Sequence, residues 1–271
     1  DGSDKELTSN DKMIIYQPKT VEISMKQSGG RPCNPIVNIG DRVIKGQVIG
    51  TPTGFGVANI HASVSGTVMD MVTNKDSQDN DVVVITIEAD TNNGDDQLDT
   101  EIPTDQDYHT GFTDISSFSK EDIISSMKDG GLIGMGGAGF PTHVKYETDK
   151  TIDYVLINAA ECEPFLTCDH RLMLEFGYDI LNGVNLLLKA SEAKKAIICI
   201  EDNKIDAANY LNDLLLEQGL PIEVKILETR YPQGGERQLT EAVLRKEVPA
   251  GKLPADIGVI INNVATAKAV A

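Results

Sequence analysis

The chain has 271 residues, room for two domains or one large one, and its 40% hydrophobic content can bury a core. A net charge of −18, only 5% aromatics and no Trp argue against nucleic-acid binding, which needs a basic face and stacking platforms. No run approaches the roughly 20 apolar residues of a membrane span, and the polar start, residues 1–12, lacks a signal-peptide core. The expectation is a cytoplasmic protein that reaches the inner face of a membrane only through partner proteins. Cys33, Cys162, Cys168 and Cys199 are scattered without C-x2-C pairs, so reduced thiols and no protein-bound metal are expected.

Residues 13–90 predict a β domain. Val43, Ile44, Val48, Ile49, Val64, Val68, Val72 and the run Val82–Ile87 are mostly β-branched and punctuated by Gly, Pro and Asn. Residues 35–50 and 61–68 each predict two short strands around a turn. Together they resemble the halves of a biotinyl/lipoyl-type barrel-sandwich hybrid. Such carriers present a modifiable Lys at a hairpin tip; the matching position is Val64-Ser65-Gly66, so the carrier chemistry is absent. Residues 91–114, rich in Asp, Asn, Thr and Gly, predict an exposed acidic linker, with an acidic docking tail as the alternative.

From residue 115 onward helices and strands alternate. Helices are expected at 120–127, 171–190, 204–217 and 236–245, and strands at 153–158, 196–200, 223–227 and 257–262. That order predicts an α/β, Rossmann-like parallel sheet covered on both faces over residues 115–271. Ligands in such folds sit beyond the carboxyl ends of the strands. Polar and glycine-rich segments fall there: NAAECEP at 158–164, YPQGGE at 231–236, and Asn262-Asn263 followed by Thr266. The apolar, Ala-rich stretch 264–271 stops without a terminating motif, and the expectation is a segment of a longer protein.

Six glycines occur in residues 130–139. Glycine lets main-chain N–H groups approach an anion, often at a helix N-terminus. Pro141-Thr142 suits a helix start, with Lys145 one turn in, able to pair with phosphate. The segment is neither a Walker A loop nor a strict G-x-G-x-x-G after a strand; a mobile loop or a tight packing turn is the competing reading.

In order, GMGGAGFPT (134–142), NAAECEP, YPQGGE and LPADIG (253–258) resemble the FMN-binding domain shared by the 51-kDa-type subunit of complex I, NAD-reducing hydrogenases and the RnfC proteins of Rnf complexes. The preceding β domain resembles the RnfC type in particular. The resemblance implies that Gly134, Gly136, Gly137, Gly139 and Lys145 hold the FMN phosphate and ring edge, and that Asn158 and Glu161 contact ribityl and ring atoms. Tyr231, Gly234 and Gly235 would line the flavin, with Asn262, Asn263 and Thr266 closing the far side. Phe140, Glu163 and Glu236 would face NAD(H). It implies that flavin takes a hydride as a pair and releases single electrons, so no side chain is named as catalytic. It implies two [4Fe-4S] clusters beyond residue 271, with ferredoxin or other electron-transfer subunits as partners.

The sequence departs from the complex I pattern at Met135, where that pattern has Arg, and at Ala160, where it has an acid. QSGGRPC at 27–33 also departs from the RnfC pattern, which points to a soluble paralogue such as the RnfC-like protein associated with proline reductase. The leading reading is an FMN-dependent electron-transfer subunit. The alternative is a docking subunit with a vestigial nucleotide pocket.

Overall fold

The computed structural model describes residues 4–90, 99–101, 111–216 and 218–271. They fall into two compact units that do not follow a single cut in the chain. One takes Ile14–Glu101 and Ser125–Val144; the other takes the stretch up to Met13, the stretch ending at Ile124, and Lys145–Ala271.

The first unit is an antiparallel β structure. Its strands are β1 (Ile14–Tyr16), β2 (Thr20–Ser24), β3 (Asn34–Pro35), β4 (Arg42–Val43), β5 (Val48–Thr51), β6 (Ile60–His61), β7 (Gly66–Lys75), β8 (Asp81–Ala89) and β9 (Asp99–Glu101). One sheet runs β2-β8-β7-β4 and a second β3-β5-β6, while β1 pairs with β9. Alternating residues of both sheets, among them Ile23, Val43, Ile49, Ile60, Val68, Ile85 and Ile87, meet in one core with Met25 and Val37. This is the barrel-sandwich hybrid the turn spacing predicts. Cys33 belongs to the same core; its thiol donates to the Ala58 carbonyl at 3.3 Å, and burial pushes its pKa up, the properties of a packing residue.

The second unit holds four parallel strands, β10 (Tyr154–Ala159), β11 (Lys195–Glu201), β12 (Ile222–Leu227) and β13 (Val259–Asn263), in the order β12-β11-β10-β13. Its helices include α3 (Cys168–Glu175), α4 (Gly177–Ser191), α5 (Ile205–Leu215), α6 (Glu236–Leu244) and α7 (Val264–Val270); α1 (Lys120–Asp129) and α2 (Thr142–Tyr146) bracket the glycine loop in the chain. Leu239 and Val243 of α6 pack on Leu156, Ile197, Cys199, Leu227 and Ile261 of the sheet. Helices α4, α5 and α7 pack on β10 and β11 as well, so near-continuous apolar strands such as β11 are buried along almost their whole length. Helices α4 and α7 touch where Gly183 faces Ala267: a Cβ there would lie 1.7 Å from the Ala267 carbonyl oxygen.

Two expectations are corrected. The helix predicted over 171–190 is two helices, because Phe176 leaves helical geometry (φ −137°, ψ 43°) and turns α4 so that Gly177 meets Tyr210, Leu211 and Leu214. Sequence periodicity continues through the break; only the contact with α5 reveals it. The acidic linker is not uniformly solvated. Residues 99–101 pair with β1, and the segment 111–116 is held on α4. Asn182 accepts from Thr113 N and donates to Gly111 O, Lys189 donates to Ile115 O, and Phe112 stacks edge-on to Tyr178. Residues 91–98 and 102–110 of that stretch lie outside the described residues.

Candidate functional site

In the α/β unit the chain order reverses between β10 and β13, so the crevice at their carboxyl ends is the topological switch point of the sheet. Asn158 of β10 and Asn263 of β13 stand in register across it. The Asn158 carboxamide is fixed at both ends: its Nδ2 donates to Gly234 O at 2.9 Å, and its Oδ1 accepts from Ala160 N at 3.1 Å. This ties the YPQGGE loop to the end of β10. Gly234 is there because nothing larger fits; a Cβ would meet Ala160 O at 2.7 Å. Its N–H also points at Cys162 Sγ, 3.2 Å away. Burial first, then the charges of Glu201 and Glu163, push the Cys162 pKa up against two backbone hydrogen bonds, so the thiol stays protonated and packs.

Asn263 caps α7, accepting from Ala265 N at 2.7 Å, while its Nδ2 donates to Asp169 at 2.7 Å. Asn262 is buried and donates to the Tyr146 hydroxyl at 2.5 Å. Thr266 is fully buried on α7. Lys145 donates to Ile261 O at 2.7 Å and approaches Glu236, the first residue of α6, at 3.4 Å. Tyr231 is 74% exposed, and Glu163 is exposed on the loop after β10.

Glu161 is the most constrained of the acids. It is 5% exposed; one oxygen accepts from Asp169 N at 3.0 Å and from the Cys168 thiol at 3.1 Å, and the other has no hydrogen-bond partner. Lys5 Nζ lies 4.0 Å from that second oxygen. Burial, with Glu161 adding its charge, raises Asp169 to about 6 against its bond from Asn263, and burial and Glu161 raise Cys168 to about 11. A second buried charge pair, Lys204 and Glu201 at 3.1 Å, is wholly enclosed, and Glu201 faces Cys162 Sγ at 3.7 Å.

The glycine loop belongs to the β unit and closes on itself. Gly134 N donates to Phe140 O at 2.8 Å, Thr142 N to Leu132 O at 2.8 Å, and Ile133 bridges Pro141. Gly131 and Gly139 have φ near +64°, and a Cβ on them would strike Asn59 O at 2.3 Å and Gln27 O at 3.0 Å. Gly137 is different: a Cβ there would meet nothing, so the tip, exposed from Met135 to Ala138, leaves its backbone open. Phe140 is 39% exposed at the end of the loop.

Hydrogen bonds and ion pairs thus join Asn158 with Gly234, Lys145 with Glu236, and Asn263 with Asp169. They do not reach Tyr231 or Glu163's carboxylate. Sequence reasoning passed over Tyr146, Asp169 and Lys5. Asp169 carried a signal, an acid in the first turn of a helix just after a polar strand end; Lys5, a lone lysine in a polar segment, carried none.

The geometry fits a flavin nucleotide. The unpartnered, buried Glu161 oxygen is an acceptor for a ligand hydroxyl or N–H, Gly234 and Gly235 offer a side-chain-free surface, and Asn158 is preorganised by two bonds. The fold and site define an open α/β nucleotide-binding domain joined to a barrel-sandwich hybrid. Residues 127–271 match the Nuo51 FMN-binding domain and residues 2–92 the RnfC barrel sandwich hybrid domain, and the chain belongs to this RnfC family of electron-transport proteins. The RnfC protein of the Na(+)-translocating ferredoxin:NAD(+) oxidoreductase complex of Acetobacterium woodii is 40% identical over 94% of this chain and 56% of its own length. Its counterpart in the proton-translocating ferredoxin:NAD(+) oxidoreductase complex of Clostridium ljungdahlii is 37% identical over 98% of this chain and 56% of its own. An air-oxidized NAD+-reducing [NiFe]-hydrogenase structure superposes with a TM-score of 0.51 at 27% identity, covering 56% of this chain and 30% of that one. The chain spans about half the length of those two RnfC proteins. Among the described residues no helix is long and apolar enough to cross a membrane.

Proposed function

We propose that the α/β unit binds FMN at its strand-end shelf and that the chain is the electron-transfer module of a ferredoxin:NAD oxidoreductase component like its relatives. The observation that carries this reading is the Asn158 carboxamide, fixed to Gly234 at the switch point beside the unpartnered Glu161 oxygen. When bound, FMN supplies the coupling between hydride and single-electron transfer. The chain's own residues bind and orient. Asn158, Gly234 and Gly235 form the surface, Glu161 accepts from the ligand, and Asn262 and Asn263 brace the far side through Tyr146 and the cap of α7. Lys145 is the cation for a phosphate or ring edge, and Glu236 and Glu163 are carboxylates for the ribose hydroxyls of NAD(H). The glycine loop is a separate proposal: its open N–H groups near Gly136 and Gly137 are an anion-binding turn, tested by Gly137→Val.

The partners proposed are other subunits of an Rnf-type complex or ferredoxin, with iron–sulfur carriers as acceptors, at the cytoplasmic face of the membrane. Exposed Ile36, Ile39, Ile44 and Phe55 favour a docking role for the β unit alongside electron transfer.

The test is an absorbance spectrum of the chain with and without FMN, followed by anaerobic NADH. Flavin bands that co-purify or titrate in, and bleach with NADH, support the reading; no flavin binding at high FMN removes it. Lys145→Glu should abolish FMN binding. Glu236→Ala should weaken NADH far more than FMN, since Lys145 keeps its second anchor at Ile261 O; equal loss of both takes Glu236 off the nucleotide face.

A further inference from the structure

The loop that carries Glu161 and Glu163 is held by a segment that forms neither helix nor strand. Residues 4–10 run as consecutive turns within the α/β unit. Lys5 is 8% exposed, and its ammonium donates to the carbonyls of Glu161, Glu163 and Leu166 at 2.7, 2.8 and 2.5 Å. Three acceptors use all three donors of the lysine, and its charge faces the buried Glu161 oxygen. Around it Phe165 N donates to Asp4 O at 3.2 Å and Thr8 Oγ1 donates to Phe165 O at 2.7 Å. Phe165 itself has a φ of 65°, a left-handed conformation costly for a bulky residue, which persists only where the surroundings impose it.

We propose that Lys5 is a positioning residue of the candidate flavin site: it gathers the Glu161–Leu166 loop onto one ammonium and balances the Glu161 carboxylate, so that this acid faces the ligand ionised and fixed. The proposal rests on the reading of that site as flavin-binding. Burial depresses the Lys5 pKa while Glu161 and Glu201 oppose the shift and Lys204 adds to it, so two acids and two lysines balance beneath the loop. The same charge serves the cluster of Glu161, Cys168 and Asp169, whose ligand atoms lie within 4.8 Å of one another, without a further cation.

The experiment compares the full chain with Lys5→Met, which keeps the stem and loses the ammonium, and Lys5→Arg, which keeps the charge. Three quantities are read: amide exchange over 161–167 without ligand, FMN affinity by fluorescence quenching, and the midpoint potential of bound flavin. Lys5→Met should speed exchange in that loop about tenfold, with β10 and β11 unchanged, and weaken FMN about tenfold. It should also lower the flavin potential, because a positive charge is lost; Lys5→Arg should restore the potential more than the affinity. Unchanged loop exchange overturns the proposal whether or not flavin binds. Faster exchange with unaltered affinity and potential overturns it while leaving the flavin reading intact. If the parent chain binds no FMN, the flavin reading falls, and with it the role of Lys5 toward that ligand. Should Lys5→Met fail to fold, Thr8→Val, which removes the bond to Phe165 O, carries the exchange and affinity measurements to the same decisions.

Discussion

Gly234→Ala tests the site at its tightest point. The added Cβ would lie 2.7 Å from Ala160 O and 3.5 Å from Asn158 Nδ2. The nearest atom is a main-chain carbonyl just past β10, which cannot rotate aside, so the YPQGGE loop must retreat by roughly half an ångström. Retreat stretches the Asn158 Nδ2 to Gly234 O bond of 2.9 Å and the Gly234 N to Cys162 Sγ contact of 3.2 Å. Overpacking of this kind costs about 1–3 kcal/mol, and a lost hydrogen bond about 0.5–1.5. The two do not add, because breaking the bonds is what relieves the clash. If the whole cost appears in the complex, FMN affinity falls roughly 5- to 150-fold. If it appears in the free protein, Tm falls by about 2–4 °C per kcal/mol. Flavin fluorescence titration and a thermal melt on one preparation read both. An unchanged Tm together with an affinity within about twofold of the parent would refute the argument that this glycine permits close approach.

Three further substitutions probe the frame around the site. Lys204→Met should destabilise the chain by about 3–5 kcal/mol in urea unfolding, because it strands the enclosed Glu201 charge, and adding Glu201→Leu should recover much of the loss. Asp169 holds its proton in the folded state up to about pH 6, above the ordinary carboxylate range. Between about pH 4 and 6 the native state therefore binds more protons than the unfolded one, and this group's contribution to stability falls as pH rises, by about 1–3 kcal/mol in all. Asp169→Asn should gain stability relative to the parent across that window in pH-resolved melts, with no relative gain if the group titrates normally. Gly183→Ala should push α7 from α4 and lower both Tm and FMN affinity, since α7 begins at the Asn263 cap; a Tm change without any change in affinity would disconnect the two.

The sequence by itself determined much of the organisation. Strand–turn spacing between Pro35 and Val68 is local, and it marked the barrel-sandwich hybrid because hairpin halves need glycine and β-branched residues at fixed offsets. Alternating apolar strands and helices determined the parallel sheet, and the rule of strand ends located Asn158, Gly234 and Asn262-Asn263 before any coordinate did. Tertiary structure alone decided what those residues touch. Asn263 turned out to cap α7 and bind Asp169, and Lys145 to meet Glu236, because such pairings depend on which strand lies beside which. The break at Phe176 is set by the meeting of Gly177 with α5, a contact invisible to helical periodicity. Lys5 is the clearest case. Its role requires three carbonyls from a loop more than 150 positions away to converge on one ammonium, and no composition or spacing in a polar N-terminal stretch encodes that convergence.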